Sequence, residues 1–303
     1  MTQYPHLHPS TVPLLELSAA ERITRCQTKR YVSYYGAETG LVRMERLVQL
    51  PRQQRPEGLI IEAPTGNGKS YILERFRQRH PAMDNPEGDH VVVPVLFIEM
   101  PEDPSLVTFY EAILNALFSP YNPRSKPAEK RKQAIEVLAA AQTRILLIDE
   151  AHNLGLAAFS MKMKILAALR AFMNHDRLML SIVCAGTSEA KAELQSDVQL
   201  LNRFDVHQLP LWQDGESYRS LLAGFEALLP LKRPSDLWDN DDLAHTILQR
   251  SDRIIAEMFK IVSRAAVAAI EGGEEQITRK VLDRIDYRSL SQRRNPVFDV
   301  QPM

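Results

Sequence analysis

The chain has 303 residues, 45% of them hydrophobic and 25% charged, so it can bury one large core or two smaller ones. Its 37 Lys and Arg residues nearly balance 38 Asp and Glu residues, which excludes a uniformly basic nucleic-acid coat and an acidic tail. Two distant cysteines, Cys26 and Cys184, exclude a disulfide scaffold or zinc module and fit a reducing cytosol. The apolar runs are too short to predict a membrane span, and the first residues show no signal-peptide pattern.

The first fifty residues predict two helices. Ser18 and Glu21 have the spacing of a capping box, which indicates that a helix begins after Ser18. A second helix is expected from Thr39 to the residue before Pro51, because proline cannot continue a helix. We therefore expect residues 1–50 to form a helical extension.

From residue 59 onward, short apolar runs alternate with helical patterns. The runs are typical of parallel strands buried on both faces, and they lie at 59–61, 91–100, 145–148 and 180–185. Helices are expected between or after them, at about 70–79, 105–118, 128–141 and 159–173. This alternation predicts a doubly wound α/β domain over residues 51–210.

After residue 210 no further strand-like run occurs. Helical patterns lie near 214–229, 240–250, 252–271 and 278–287, and the third of them ends at a Gly-Gly pair. The sequence therefore predicts a small all-helical domain over residues 211–288, followed by a tail over residues 289–303.

The loop after the first predicted strand carries the strongest chemical signal. It follows the pattern of a phosphate-binding P-loop, with alanine where the pattern usually has its first glycine: Ala63, Pro64, Thr65, Gly66, Asn67, Gly68, Lys69, Ser70. In such a loop backbone N–H groups surround the phosphates, Lys69 reaches the β- and γ-phosphates, and Ser70 binds Mg²⁺. A chance glycine-rich turn is the alternative, which the position between a strand and a helix disfavours. ATP and Mg²⁺ are the expected cofactors.

A second signal is the pair of carboxylates that closes the buried strand at 145–148. In this Walker B pattern Asp149 would hold Mg²⁺, directly or through water, and Glu150 would polarise the attacking water. Simple solvation of the strand end is the alternative. His152, two residues further on, is expected to support the site or to face another subunit rather than to ligate a metal.

Two further positions are candidates for sensing or stabilising the γ-phosphate. Thr187 follows the strand at 180–185, where ATPases with an additional central strand place a polar sensor; helix capping by Thr187 or Ser188 is the alternative. Arg203 stands in an Arg-Phe context familiar from ATPases whose arginine finger enters the site of a neighbouring subunit. An exposed or ion-paired arginine is the alternative there.

The predicted helical domain offers one candidate for a lid arginine. Arg253 lies at the expected start of a helix, where such an arginine would approach the phosphates of the nucleotide. Arg250 and Lys260 lie close by in the sequence and compete for the same role.

A local basic segment stands out from the neutral total. Residues 122–132 contain five basic residues and one acidic residue, Glu129. The basic ones are Arg124, Lys126, Lys130, Arg131 and Lys132. Such a loop can contact the phosphate backbone of DNA without reading its bases. The alternative is a solvated run of surface charge with no binding role.

Taken together, these motifs resemble the TniB/TnsC-type AAA+ ATPases of transposons, and TniB more closely. The resemblance covers nearly the whole chain. It is carried by the P-loop and by residues 21–23, 30–34, 50–51, 55–56, 58–62, 148–154, 184–190, 197–200, 203–204 and 209–212. Its departures are Ala63 at the first P-loop position and the lid arginine Arg253.

The resemblance implies an AAA+ ATPase core with a helical lid domain, in a cytoplasmic protein that forms a homo-oligomeric ring or helical filament on double-stranded DNA without strong sequence preference. It would link a TniQ-like protein to a DDE transposase of the TniA/TnsB type and disassemble when ATP is hydrolysed. Tyr31, in the segment 30–34, would flank the nucleotide base.

Three other functions remain open from the sequence. A helicase loader or replication initiator would have a similar core, although no helix-turn-helix pattern follows the lid here. A P-loop phosphotransferase would need a pocket for a small acceptor and no arginine from a neighbour. A scaffold gated by ATP without hydrolysis would not depend on Glu150.

Overall fold

Five strands and thirteen α-helices are present in the residues that the structure describes. These residues, in a computed structural model, are 4–28, 30–52, 55–86, 88 and 90–294. The helices are α1 Ala19–Gln27, α2 Tyr35–Gln49, α3 Lys69–Arg79, α4 Leu106–Ala116, α5 Pro127–Ala140, α6 Phe159–Asn174, α7 Ser188–Gln195, α8 Val198–Leu201, α9 Glu216–Leu228, α10 Asp241–Arg250, α11 Ile255–Glu271, α12 Arg279–Arg284 and α13 Leu290–Arg294. The strands are β1 Gly58–Glu62, β2 Val95–Glu99, β3 Ile145–Asp149, β4 Ser181–Gly186 and β5 Phe204–Gln208.

The chain divides into two compact units. One is Gly36–Pro210, and the other combines Met1–Tyr35 with Leu211–Met303. The predicted extension over residues 1–50 is thus shared between the two units, because α2 belongs almost entirely to the first. The division after Pro210 coincides with the end of the predicted α/β domain.

A parallel sheet in the order β2-β3-β4-β1-β5 forms the centre of the α/β unit. The side chains of β3 and β4 are buried along their whole length, and those of β1 along all but its last residue. Such strands read as continuous apolar runs, which is why the sequence predicts them. Because β4 lies between β1 and β3, the carboxyl ends of these three strands meet along one edge of the sheet.

The edge strand β5 is an element that the sequence prediction lacks. Its burial is mixed, with Phe204 and His207 buried, Val206 half-buried and Asp205 and Gln208 exposed. Edge strands with one solvated face carry polar residues, so this run does not look like a buried parallel strand. Parallel pairing of β5 with β1 extends the sheet by one strand beyond the P-loop strand.

The helix α2 packs against β5 and α3 in the α/β unit. Nε2 of His207 lies 2.7 Å from the carbonyl oxygen of Gly36, and Nη1 of Arg43 donates to the carbonyl of Val206 at 3.0 Å. Burial, then the hydrogen bond to Gly36 acting in the opposite direction, leave the pKa of His207 below its usual value. The helix therefore covers the outer strand of the sheet, where a free edge would otherwise remain.

The helical unit contains the N-terminal helix and the C-terminal helices. α1 begins where the sequence predicts, since Ser18 and Glu21 form a capping box by exchanging hydrogen bonds between side chain and backbone. Arg22, 3% exposed, donates from Nε to the carbonyl of Pro230 at 3.0 Å and pairs with Glu275. This anchoring attaches α1 to the C-terminal part of the chain.

In the described part of the chain, no helix combines the length and apolar character needed to cross a membrane.

Candidate nucleotide-binding site

The P-loop has the backbone geometry that phosphate binding requires. Gly66 and Gly68 adopt φ of 77° and 91°, which side chains with a Cβ disfavour. Ala63 does not have a positive φ, is 2% exposed and donates its N–H to the carbonyl of Gly186 at 3.1 Å. A small residue is therefore sufficient at this position, and the departure from glycine leaves the loop intact.

Lys69 begins α3 with its ammonium directed into the loop. The residue is 6% exposed, and Nζ donates to the carbonyls of Ala63 at 2.9 Å and Pro64 at 3.1 Å. Burial lowers the pKa of Lys69, while the nearby Glu150 and Asp149 carboxylates oppose that shift. The structure thus brings the predicted lysine together with both predicted acids at the carboxyl edge of the sheet.

The two acids play different structural roles at the end of β3. Asp149 is 2% exposed, and its Oδ1 accepts the N–H of Glu150 at 2.9 Å. Glu150 follows with φ of 51°, a left-handed conformation that is costly for a residue with a Cβ. The backbone turns sharply there, so the Glu150 carboxylate is partly exposed while that of Asp149 stays buried.

His152 lies beside the second acid. Its Nδ1 is 3.2 Å from Oε2 of Glu150, with side chains 34% and 43% exposed. No group of three or more His, Cys, Asp or Glu residues in the described ranges could hold a metal ion. His152 therefore lies where its ring can act on the Glu150 carboxylate.

The donor set at the loop fits Mg²⁺ bound together with a nucleotide. The Ser70 hydroxyl and the Asp149 carboxylate are hard oxygen ligands, and Ser70 is exposed at the start of α3. Mg²⁺ commonly uses one or two protein oxygens, phosphate oxygens and water rather than a complete protein cage.

Asn67 has a role that sequence reasoning missed. It is 1% exposed, and its Nδ2 donates to the carbonyls of Leu209 and Pro210, each at 3.0 Å. The side chain therefore ties the P-loop to the segment after β5. The sequence around an asparagine in a loop does not indicate partners so far away along the chain. Only the structure reveals this contact.

Thr187 lies at the end of β4, between the P-loop strand and the Walker B strand. It precedes α7, but its side chain makes no capping hydrogen bond to the helix backbone. A hydrogen bond from Thr187 is the largest cause that lowers the pKa of Glu189. The hydroxyl is thus at the carboxyl edge of the sheet, where the sensor hypothesis requires it.

Arg203 lies at the opposite edge of the same sheet. It directly precedes β5, its carbonyl accepts the N–H of Gly58 at 2.8 Å, and its Nη1 donates to Oδ1 of Asn174 at 2.7 Å. The P-loop, by contrast, follows the carboxyl end of β1. A five-residue parallel strand spans roughly 15 Å, so Arg203 is separated from the P-loop of its own chain by the length of β1.

The remaining predicted nucleotide contacts lie in the helical unit. Tyr31 belongs to the segment before α2, and Arg253 lies between α10 and α11 with φ of 63°. The helix predicted from residue 252 begins only at Ile255, because Asp252 and Arg253 form a left-handed turn. The Arg253 carbonyl accepts the N–H of Trp212 at 3.0 Å, while the residue itself is exposed.

The structure removes one residue from the predicted DNA-binding set. Lys130 is fully buried, with Nζ 3.0 Å from Oε1 of Glu111 and 2.9 Å from the carbonyl oxygen of Asn122. It also lies over the ring of Tyr121. This lysine holds α5 against α4 and is unavailable to a DNA phosphate. The four other basic residues are exposed: Arg124, Lys126, Arg131 and Lys132.

The chain has the fold of the AAA+ P-loop NTPases. Three solved structures show the likeness. CDC6P from Pyrobaculum aerophilum matches with a TM-score of 0.61, 18% identity and coverage of 85% of this chain and 69% of that one. The Aeropyrum pernix ORC2 protein has a TM-score of 0.57 at 13% identity, and the match covers 85% of this chain and 69% of that one. The Thermotoga maritima RuvB Holliday junction branch migration motor has a TM-score of 0.52 at 13% identity, with coverage of 85% and 71%.

The family is given by the sequence itself. The family described as "Bacterial TniB protein" matches residues 22–214, and the chain belongs to that family. No curated protein sequence matches this chain. The expected fold class and the resemblance to TniB are both confirmed.

Proposed function

We propose that this TniB-family protein is an Mg²⁺-dependent ATPase that assembles on double-stranded DNA and regulates DNA transposition. The observation that carries the proposal is the separation of Arg203 from its own P-loop by the length of the sheet. An arginine at this edge can act on a nucleotide held in a P-loop only when a second copy brings its P-loop there. The nucleotide site would then be complete only in an oligomer.

The chemistry of hydrolysis follows from the residues at the carboxyl edge of the sheet. Lys69 and the loop N–H groups would bind the β- and γ-phosphates, and Ser70 and Asp149 would hold Mg²⁺, which neutralises phosphate charge when bound. Glu150 would accept a proton from the attacking water, with Thr187 orienting that water. Arg203 of a neighbouring copy would stabilise the charge that develops on the transferred phosphoryl group.

The link to transposition rests on family membership. In this role the assembled protein would connect a TniQ-like target-selection protein with a DDE transposase of the TniA/TnsB type, in the cytoplasm on DNA. ATP adds contacts between copies, so its hydrolysis would loosen the assembly and release the DNA. Repetition along one DNA multiplies weak backbone contacts through their effective concentration, so no base-specific contact is needed.

Assembly on DNA is the test of this function. The purified protein is imaged by negative-stain electron microscopy on linear double-stranded DNA without nucleotide, with ADP and with a slowly hydrolysed ATP analogue. We expect regular rings or filaments with the analogue alone. Monomers in every condition, with ATP bound nevertheless, would contradict the proposal and favour a phosphotransferase with a small acceptor.

Removing charge from the exposed basic segment should weaken DNA binding. Lys126 and Arg131 are exposed and lie outside the buried α4–α5 contact, so Lys126→Gln with Arg131→Gln should leave the fold unchanged. The slope of log binding constant against log salt concentration should fall by about 0.9 for each lost phosphate contact. Fluorescence anisotropy with a labelled DNA duplex at several salt concentrations measures this slope.

The matched control for that measurement is Lys164→Gln. Lys164 is an exposed lysine of α6, outside the basic segment. It should leave both the affinity and the slope unchanged. An equal slope in the double variant and in the unchanged protein would place the DNA surface elsewhere on the molecule.

A further inference from the structure

A cavity of about 720 Å³ opens at the amino edge of the sheet, where Arg203 lies. Its lining is rich in charge: Arg46, Arg55 and Arg203 contribute three guanidinium groups, and Glu57 and Asp205 contribute two carboxylates. A volume of this size falls in the range of small-molecule and nucleotide sites. The cavity lies entirely within the α/β unit and is distinct from the P-loop at the other edge.

The charges of this cavity are unequally paired. Arg46 forms an ion pair with Glu57 at 3.5 Å, and the nearby Arg170 pairs with Asp197 at 3.3 Å. Within the described ranges, the Arg203 side chain donates to one acceptor, the neutral amide oxygen of Asn174. Among the described residues, no carboxylate lies within ion-pair distance of Arg55 or Arg203. Two guanidinium groups therefore remain available to an incoming anion.

The positive charges of Arg55 and Arg203 repel each other. Burial, then the charge of Arg55 and then that of Arg170, lower the pKa of Arg203. Like charges held close together without a counterion are unfavourable, and an anion placed between them removes that cost. Arg55 is exposed, so its side chain can reach such an anion.

The packing beneath the cavity fixes the position of Arg203. The ring of Phe204 lies against Gly58 so closely that a Cβ at that glycine would be 2.7 Å from the ring. Since Gly58 also donates its N–H to the Arg203 carbonyl, the start of β5 is held against the start of β1. The guanidinium of Arg203 therefore projects from a rigid base rather than from a free loop.

We propose that Arg55 is a second trans-acting arginine, which joins Arg203 in binding the triphosphate held by the P-loop of a neighbouring copy of this chain. This inference rests on the proposed function, in which Arg203 acts on the neighbour. The contact is head to tail: the amino edge of one sheet meets the carboxyl edge of the next, which generates a ring or an open filament. Both arginines would then help to neutralise the negative charge of one bound triphosphate.

The first experiment compares single arginine variants under conditions of DNA-dependent ATP hydrolysis. Arg203→Gln should lower kcat by roughly 10³-fold and Arg55→Gln by about 100-fold, because each removes a group that stabilises the transition state. Arg46→Gln removes the same charge from the same cavity, but from an arginine that Glu57 already neutralises. It should retain kcat within about 2-fold, since paired surface charges contribute little. Circular dichroism and thermal unfolding verify that all three fold.

The second experiment shows whether Arg55 acts on its own chain or on a neighbour. Arg55→Gln protein is mixed with equal amounts of Glu150→Gln protein, which lacks the catalytic carboxylate but keeps both arginines. Random assembly places half of the intact P-loops beside intact arginines, so activity should return to about one quarter of the unmodified level. Each protein alone should stay nearly inactive.

The outcomes separate this inference from the proposed function. Full activity of Arg55→Gln with impaired Arg203→Gln would overturn the role of Arg55 and leave the trans arginine in place. Equal losses for Arg46→Gln and Arg55→Gln would also overturn it, because general cavity charge would explain both. Absence of recovery in the mixture would show that Arg55 acts within its own chain. Full activity of both Arg55→Gln and Arg203→Gln would contradict the proposed function itself.

Discussion

We expect Lys69→Ala to weaken nucleotide binding severely and thereby to prevent assembly on DNA. The ammonium is buried in the loop and donates to two loop carbonyls, so it stands where phosphate oxygens would bind. Charge-assisted hydrogen bonds to phosphate contribute about 1.5–3 kcal/mol each. Loss of two such bonds should weaken ATP binding by at least about 100-fold. Isothermal titration calorimetry with ATP and Mg²⁺ measures the affinity.

The fold should survive this substitution. Burial lowers the pKa of Lys69, and the removal of this partly desolvated ammonium leaves no unpaired charge in the loop. Lys164→Ala, an exposed lysine of the same unit, is the control and should bind ATP normally. ATP-dependent filaments formed by Lys69→Ala protein, or unchanged affinity, would refute the assignment of this loop.

The backbone geometry of the candidate nucleotide site can largely be predicted from the sequence because its signals are local. The P-loop, the buried strand before Asp149 and the capping box at Ser18 each depend on residues within about eight positions of one another. Local backbone geometry then follows from residue type, as at Gly66 and Gly68. Ala63 follows the same logic, since a small side chain suffices where a positive φ is not needed.

The features that escaped prediction depend on contacts between distant parts of the chain. Asn67 meets residues more than 140 positions away, at 209 and 210, and Arg22 meets Pro230. The sequence does not predict β5 because its five residues mix polar and apolar side chains and contain no continuous apolar run. No periodicity in a single sequence identifies such partners.

The prediction that Lys130 contacts DNA is wrong for a reason visible in the sequence. The charge of Lys130 groups it with its basic neighbours, yet it shares a helical face with Ala134 and Leu138, both buried. The four-residue spacing places all three on the side of α5 that faces α4. Helical periodicity was therefore the better guide, and a lysine on an apolar face with Glu111 opposite is a structural residue.

Glu150→Gln should separate ATP binding from ATP hydrolysis. The substitution keeps the size of the side chain and removes its capacity to accept a proton, so the turn at this left-handed position is expected to persist. General-base catalysis contributes about 10²–10⁴-fold to rate, so kcat should fall by that factor while the affinity for ATP stays unchanged. Phosphate release and calorimetry measure the two quantities.

The same variant tests whether hydrolysis drives disassembly. Filaments of Glu150→Gln protein on DNA should persist with ATP for as long as those of the unchanged protein with a slowly hydrolysed analogue, because the γ-phosphate remains in place. Glu102→Gln, which changes an exposed carboxylate of the loop after β2, should dissociate at the normal rate. Normal dissociation of Glu150→Gln filaments without phosphate release would instead identify an ATP-gated scaffold, in which nucleotide exchange rather than hydrolysis ends the assembly.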